Sequence, residues 1–578
     1  MSGTTLDIEN IINPDAMARE IAEEWHEWNA LRVNKMAEWK ELRNFLYATS
    51  TATTSNNKLP WTNSTTTPKL TQIMDNLHAN YFATLFPQQK WMRWEAATRE
   101  SNERQKVVSI QGYMENKVKQ SGFVTTAASL LYDWIQYGNC FGLVDHTTKT
   151  ITKSDGSYIL GYNGPKLLRI SPYDIVFNPT APSFEESPKI IRAVMTLGEL
   201  KRKSADHPHF AEIFDKMLAN RASAKGSSEN MAKADGFIAD GFGSLLEYYE
   251  SNYVEVLTFY GDIYDEESNK LLVDRIITVV DRAYVISNEE NASWLGQSPI
   301  FHAGWRERPD NLYAMGPLDN LVGMQYRIDH LENLKADVFD QIAYPMLKIR
   351  GDVEDFEFAP SSRIYLGDEG DVGYLVPETT ALQADFQIRE LEAKMEEMAG
   401  APKQAMGIRT QGEKTAFEVQ SLQNAASRIF EHKTAHFERV FLEPVLNAML
   451  EVGRRKLSSD EEISLVDSEV GTTFFRTIQK SDIVGNGRIV PVGARHFAER
   501  ARRVQTLTQL AMIKASDPSV APHLSGKELA RILSEELGEP KLFSENIAVT
   551  EQLETQQAAQ AAQVSNQDML VRAQELGI

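Results

Sequence analysis

The sequence predicts a mainly helical α+β protein of several domains, and three observations predict it. Long stretches carry apolar residues three or four apart, the period of an amphipathic helix: Leu70, Ile73, Leu77, Tyr81 and Leu85 in one, and Leu321, Met324, Ile328, Leu331, Leu334, Val338 and Ile342 in another. The middle of the chain, 141–200 and 253–285, is rich in Val, Ile and Tyr between turn-forming residues, which reads as strands. The length of 578 residues exceeds what one compact core accommodates, and by itself suggests roughly three or four domains.

Composition narrows the class. Hydrophobic residues make up 42% and charged residues 24%, the balance of a globular chain. No run of about 18 apolar residues occurs, so no membrane span is expected. The first residues, "MSGTTLDIENIINPDAMA", lack a basic segment followed by an apolar one, so no secretory signal is expected. The single cysteine, Cys140, cannot form an intrachain disulfide, which fits assembly in a reducing cytoplasm. In the apolar context "YGNCFGLV" it reads as a buried structural thiol and not a nucleophile. The net charge of −21 argues against a protein that grips nucleic acid through a basic stripe. An acidic wall, by contrast, suits a protein past which DNA slides.

The elements follow in order. Residues 15–48 are helix-forming, with Trp25, Trp28 and Trp39 among charges, and the Thr-rich 49–67 reads as a loop. An amphipathic helix within 68–97 stops at Pro87, and two helices are expected within 100–137. After the strands of 141–200 comes a loop over 221–242, then strands over 253–285 broken at "DEESNK". The helical period of 316–342 predicts a rod of roughly 40 Å. Strands follow over 344–377, then a second helix over 381–399. Gly400 suits its C-terminal cap, and Pro402 cannot continue it. A longer helix is expected over 415–456, kinked at Pro444. "TTFFRTIQ" and "GRIVPVG" read as strands and 494–516 as a helix. The Gln/Ala-rich tail 550–578 is helix-prone but lacks a sustained heptad.

The connection between the second and third of these helices is longer than the two to eight residues or so that helix pairs usually need. It carries Lys403, Arg409 and Lys414 against Glu413, a basic spot on an acidic chain. Downstream, Thr410–Glu413 and Thr415–Glu418 each have capping-box spacing. By composition alone this is an ordinary surface turn.

The order helix, small β insert, helix, loop, long kinked helix is unusual. With "ANYFATLFPQQKWMRWE" (79–95), "YGNCFG" (137–142), "SPYDIVFNPTAPS" (171–183), "VEVLTFYGD" (254–262), "YAMGPLDNLVGMQYRIDHLENL" (313–334) and "RTQGEKTAFEVQ" (409–420), nearly the whole chain resembles the portal, or head-to-tail connecting, proteins of short-tailed bacteriophages. None of these motifs is a catalytic signature; their number and order carry the likeness. The resemblance implies a ring-forming portal fold. Residues 1–315 would be a wing, 316–342 and 381–399 two stem helices, 343–380 a β-rich clip and 400–414 a tunnel loop. Residues 415–494 would form a long kinked helix and complete the wing, and 495–578 a helical crown and tail.

The resemblance implies a non-enzymatic dodecamer at one capsid vertex of the virion, assembled in the host bacterial cytoplasm. Double-stranded DNA would pass through it without sequence reading during packaging and ejection. Terminase, a tail adaptor, and the major capsid and scaffolding proteins would dock on it. Each stem helix has five acidic residues against two basic ones. On a lone helix these form a solvated face; in a ring, Asp329, Glu332, Asp337, Asp340, Glu392 and Glu396 would form an acidic wall that repels duplex evenly. Lys403, Gln404, Met406, Arg409, Gln411 and Lys414 of the tunnel loop would touch DNA, the basic ones at phosphates. Asp352, Glu354, Asp355, Glu357, Asp368, Glu369 and Asp371 of the clip would meet basic partner surfaces, or serve solubility alone. Arg495, Arg500, Arg502 and Arg503 of the crown would meet either packaged DNA or acidic neighbours.

Two alternatives compete with that reading. An enzyme would show a phosphate-binding, dinucleotide-binding, nucleophile-elbow or paired-cysteine motif, and none is present. His432 and His436 sit one helical turn apart, a spacing open to a metal, but no third ligand is evident, and they read as residues of a polar face. Neither metal nor cofactor is therefore expected. The second alternative is a shell or scaffold protein of a virion without a DNA channel.

Overall fold

The computed structural model describes most of residues 14–533. Outside the description lie 1–13, 48–64, 88–90, 103, 153–157, 205–209, 225–251, 266–268, 295, 352–363, 368, 376–378, 401–428, 458–459, 467–472, 493–505, 513–528, 531 and everything after 533. Two compact units are present, one of residues 1–86 and 117–456, the other of 87–116 and 457–578.

In chain order, α1 (Pro14–Leu31), α2 (Val33–Tyr47) and α3 (Lys69–Leu85) precede β1 (Met92–Ala96), α4 (Arg104–Ser121) and α5 (Phe123–Gln136). Strands β2 (Asn139–Thr152), β3 (Tyr158–Ile170), β4 (Ile175–Phe177) and β5 (Lys189–Thr196) lead to α6 (Leu197–Lys203) and α7 (Phe210–Ala224). Next come β6 (Tyr253–Asp265), β7 (Lys270–Val280), β8 (Tyr284–Glu290), β9 (Ile300–Gly304), β10 (Arg306–Arg308) and β11 (Asn311–Met315). Helix α8 (Val322–Ala343) is joined by the hairpin β12 (Met346–Arg350) and β13 (Asp371–Leu375) to α9 (Asp385–Met398). Residues 429–437 are helical and continue through a π turn, Glu438–Leu442, into α10 (Glu443–Lys456). The chain then forms β14 (Glu461–Val466), β15 (Thr473–Ile478), α11 (Lys480–Ile483) and β16 (Gly487–Pro491). Helix and strand coexist, with no closed barrel among the described residues, so the class is α+β.

The first unit is built on a five-stranded antiparallel sheet in the order β4-β5-β6-β7-β8. Strand alternation explains why "VEVLTFY" is apolar at nearly every position. Val254 and Val256 pack with Leu200, Phe210 and Met217 of α6 and α7. Leu257 and Phe259, a step out of phase, pack with Met17, Ile21 and Trp25 of α1. A second sheet, β3-β2-β9, meets a cluster around Trp39, Phe141, Phe177 and Tyr313.

Helices α1 and α2 break at Arg32, a residue that the helical reading of 15–48 passed over. Its side chain is 2% exposed. Its guanidinium donates to the carbonyls of Pro172 (2.6 Å), Tyr173 (2.5 Å) and Ile175 (2.7 Å) and to Asn29 Oδ1 (3.0 Å). The segment "SPYDIVFNP" is thereby bent around one buried cation. "YGNCFG" meets "YAMG" in the same unit. Gly138 has a left-handed φ of +69°, and a Cβ there would lie 2.4 Å from Gly316 N. Asn139 is fully buried; its amide donates to Tyr137 O and Ala314 O and accepts from Ala314 N. Cys140 is buried, with burial pushing its thiol well above the usual range, as its structural role requires.

The second unit pairs β1 with β16 antiparallel, Met92 opposite Pro491 and Ala96 opposite Gly487, and β14 with β15. Residues 506–512 are helical. Among the described residues β1 pairs with β16 alone, so this unit takes its strands from distant parts of the sequence. Pro444, where a kink is expected, follows a local distortion of the helix. The helix is not broken there; the turn before it widens, with Glu443 N–H donating to Glu438 O. Pro444 has no N–H for the carbonyl four residues earlier, and the π turn takes up the mismatch.

Replacing Arg32 by Met leaves three carbonyls without their buried donor. The expected loss is more than about 3 kcal/mol of stability in the first unit, read from the shift of its urea transition.

Candidate functional site

The feature that the fold isolates is the pair of helices α8 and α9 with the hairpin between them. At 22 residues α8 spans about 33 Å, a little shorter than the rod expected, because Asp319–Leu321 form a 3-10 turn. Helix α9 is entered through another 3-10 turn, Thr379–Ala384, and ends where Gly400 takes a left-handed φ of +74°, the cap that the sequence suggested.

The N-terminal half of α8 is held by polar side chains four residues apart. Gln325, Asp329 and Asn333 lie on one face and are each about 1% exposed. Against them runs the segment 65–67. Asn333 Oδ1 accepts from Thr65 N (2.8 Å) and its Nδ2 donates to Thr65 O (3.0 Å). Asp329 Oδ1 accepts from Thr67 N (2.9 Å), and Gln325 Nε2 donates to Thr67 O (2.6 Å). The match is metric: two extended residues cover about 6.6 Å and four helical ones about 6 Å, so alternate threonines meet successive turns. Tyr326 reinforces this, its hydroxyl donating to Glu41 of α2 and its ring edge-on to Phe45. Lys35 of α2 pairs with Asp319 at 2.7 Å.

Helix α9 is tied down by two ion pairs. Lys69, at the start of α3, meets Glu396 at 2.6 Å, both side chains 6% exposed. Lys335 meets Asp385 at 2.6 Å and Glu332 at 3.2 Å, and Asp385 in particular holds the Lys335 ammonium above its usual range. Asp385 thus lies opposite Lys335, while Glu396 reaches Lys69 beside the Thr67–Asp329 contact. Advancing along α9 means retreating along α8, so the two are antiparallel.

The acidic wall expected from sequence needs correction. Asp329 and Glu396 face inward, one bonded to Thr67 and Gln325, the other to Lys69, and present no carboxylate to solvent. Glu332, Asp337 and Glu392 are half-buried and Asp340 is exposed. Of the clip residues, Glu369 and Asp371 are exposed. Asp352, Glu354, Asp355, Glu357 and Asp368 lie outside the described residues, as do Lys403, Gln404, Met406, Arg409, Gln411 and Lys414 of the loop and Arg495, Arg500, Arg502 and Arg503 of the crown. His436 faces Glu307 at 3.4 Å and His432 is exposed; no group of three metal-binding side chains occurs among the described residues. No helix among them is long and apolar enough to cross a membrane.

Sequence reasoning missed the apolar surface at the far end. Phe339, Ile342, Tyr344, Met346, Ile349, Tyr374, Leu375 and Phe386 are all exposed, Tyr344 and Phe386 at 78%. In β12–β13, Met346 opposes Leu375 on one face, while Tyr374 and Ile349 lie on the other. A two-stranded ribbon with apolar side chains on both faces is marginal in water without further surface to pack on. All eight residues lie in the strand and helix patterns read from sequence, but their exposure is a tertiary property.

Compared with known proteins, the chain matches no protein-family model and no curated protein.

Replacing Lys69 by Met removes the buried cation that faces the Glu396 carboxylate and is expected to cost about 3–5 kcal/mol. Replacing both, Lys69→Met with Glu396→Leu, is expected to recover most of that loss. Urea denaturation of the single and double variants measures the difference.

Proposed function

We propose that the chain is the subunit of a phage portal, a non-enzymatic ring through which double-stranded DNA enters and leaves a capsid. The observation that carries this reading is the stem: two antiparallel helices anchored at one end and ending at the other in a β ribbon with exposed apolar side chains on both faces. Copies arranged around an axis would cover that surface, since a heterologous contact that closes generates a ring. A shell or scaffold subunit has no need of a projecting stem of this kind.

The charge of the exposed stem fits the same role. Asp340, with the half-buried Glu332, Asp337 and Glu392, repeated around a ring, gives a channel of one sign, in which a duplex finds no deep minimum at which to stop. Lys403, Arg409 and Lys414, in the connection that follows α9, would supply weak phosphate contacts that brake or retain the DNA end. Exposed Glu369 and Asp371 at the tip would steer basic surfaces of a terminase or a tail adaptor.

Purified protein viewed by negative-stain electron microscopy is expected to form rings of about twelve copies with a central hole of roughly 20 Å or more. Tyr344→Asp with Phe386→Asp is expected to abolish the rings while leaving the circular dichroism of the chain unchanged. Closed particles or filaments would overturn the portal reading. In assembled particles, Lys403→Ala, Arg409→Ala and Lys414→Ala together are expected to leave rings intact and lower the DNA retained. Unchanged DNA content would remove the loop from the mechanism.

A further inference from the structure

The contact between residues 65–67 and α8 is chemically incomplete. Four buried polar atoms around it have no hydrogen-bond partner among the described residues: Thr66 Oγ1, Gln325 Oε1, Asp329 Oδ2 and His330 Nδ1. Two of them belong to one amide–carboxyl pair. Gln325 Nε2 donates to Asp329 Oδ1 at 2.8 Å, which leaves Gln325 Oε1 and Asp329 Oδ2, both acceptors, as the unused halves of the two groups. Leaving two such acceptors dry is costly, about 1–3 kcal/mol for each. One proton removes both deficits. Placed on Asp329 Oδ2, it converts that atom into a donor for Gln325 Oε1 and closes a two-bond carboxyl–amide ring.

We propose that Asp329 is a proton-operated clasp: as a neutral acid it bonds Gln325 in both directions and holds residues 65–67 on α8, and as a carboxylate it gives up one bond and loosens that segment. The proton comes from solvent and returns to it. The consequence reaches beyond the pair. Residues 65–67 lead directly into α3, whose Lys69 holds Glu396 of α9, so the clasp sits where both stem helices are tied to the unit.

The surroundings favour the acid form. Burial is the main cause that pushes Asp329 up to about 6, offset in part by the Thr67 N–H and the Gln325 amide. No charged neighbour contributes. Lys69 of α3 and Glu396 of α9 are engaged with each other, Glu41 of α2 accepts from Tyr326, and Lys335 is occupied by Glu332 and Asp385. His330, next along α8, offers a ring nitrogen, Nδ1, without a partner among the described residues. Because the folded value lies above the ordinary 3.8, the clasp tightens as pH falls through about 6 and is lost as pH rises through it.

Hydrogen–deuterium exchange of the full chain, corrected for intrinsic rates and read at the peptide containing Thr67, tests this. Protection is expected to rise on the order of 25-fold from about pH 7.5 to about pH 4.5, the linkage expected for a group that titrates near 6 when closed and near 4 when open. Asp329→Asn supplies a permanent donor to Gln325 Oε1. That variant is expected to show, at pH 7.5, the protection the wild type reaches only at low pH, with no further dependence. Protection in the wild type that does not change with pH would overturn the clasp and point to a bound water or cation as the missing donor. Weaker protection in Asp329→Asn than in the wild type at pH 7.5 would overturn it as well.

Discussion

A helix that projects from a fold with its far half exposed must be held rigidly by its near half. Here hydrogen bonds meet that constraint beside the apolar burial of Ile328 and Leu331. Gln325, Asp329 and Asn333 form a polar seam that reads the backbone of an extended threonine segment, and the Lys69–Glu396 pair adds the second helix to the same point. Polar seams of this kind are demanding, because each buried group needs its partner and a lost partner costs more than the bond was worth. They are also directional, which fixes the angle of the stem in a way that sliding apolar surfaces do not.

The distribution of charge follows from the same seam. The acidic excess of the chain is not a uniform coat: two of the carboxylates that periodicity placed along the stem are spent on anchoring it. The anchored end of the helix pair is thus polar and buried, while the far end is apolar and exposed. That asymmetry separates an end that the chain buries by itself from an end that it leaves exposed.

Two of the motifs singled out in the sequence are joints. "YGNCFG" needs glycine at 138 because a neighbouring backbone occupies the space of a Cβ, and needs Asn139 because one amide bridges two segments 175 residues apart. "SPYDIVFNP" is the loop whose carbonyls converge on Arg32. Such positions tolerate few residue types for backbone reasons, independent of any chemistry the protein performs. Soft sequence motifs without catalytic character are what such joints look like in one dimension.

Much of the architecture was legible in the sequence. The helices within 68–97, 316–342 and 381–399, the strands around 141–200 and 253–285, and the cap at Gly400 follow from local periodicity and backbone preference, which act over a few residues. Periodicity also placed Asp329 and Glu396 in their helices. It could not say which way they face, since an acidic residue on an exposed stripe and one in a polar seam have the same spacing. That was decided by Thr67, 262 residues before Asp329, and by Lys69, 327 residues before Glu396. The tertiary structure likewise decided that Arg32 ends a helix and that a π turn absorbs Pro444. In each case the deciding partner is distant in sequence or lies in the geometry of a neighbouring turn, and local pattern carries no record of it.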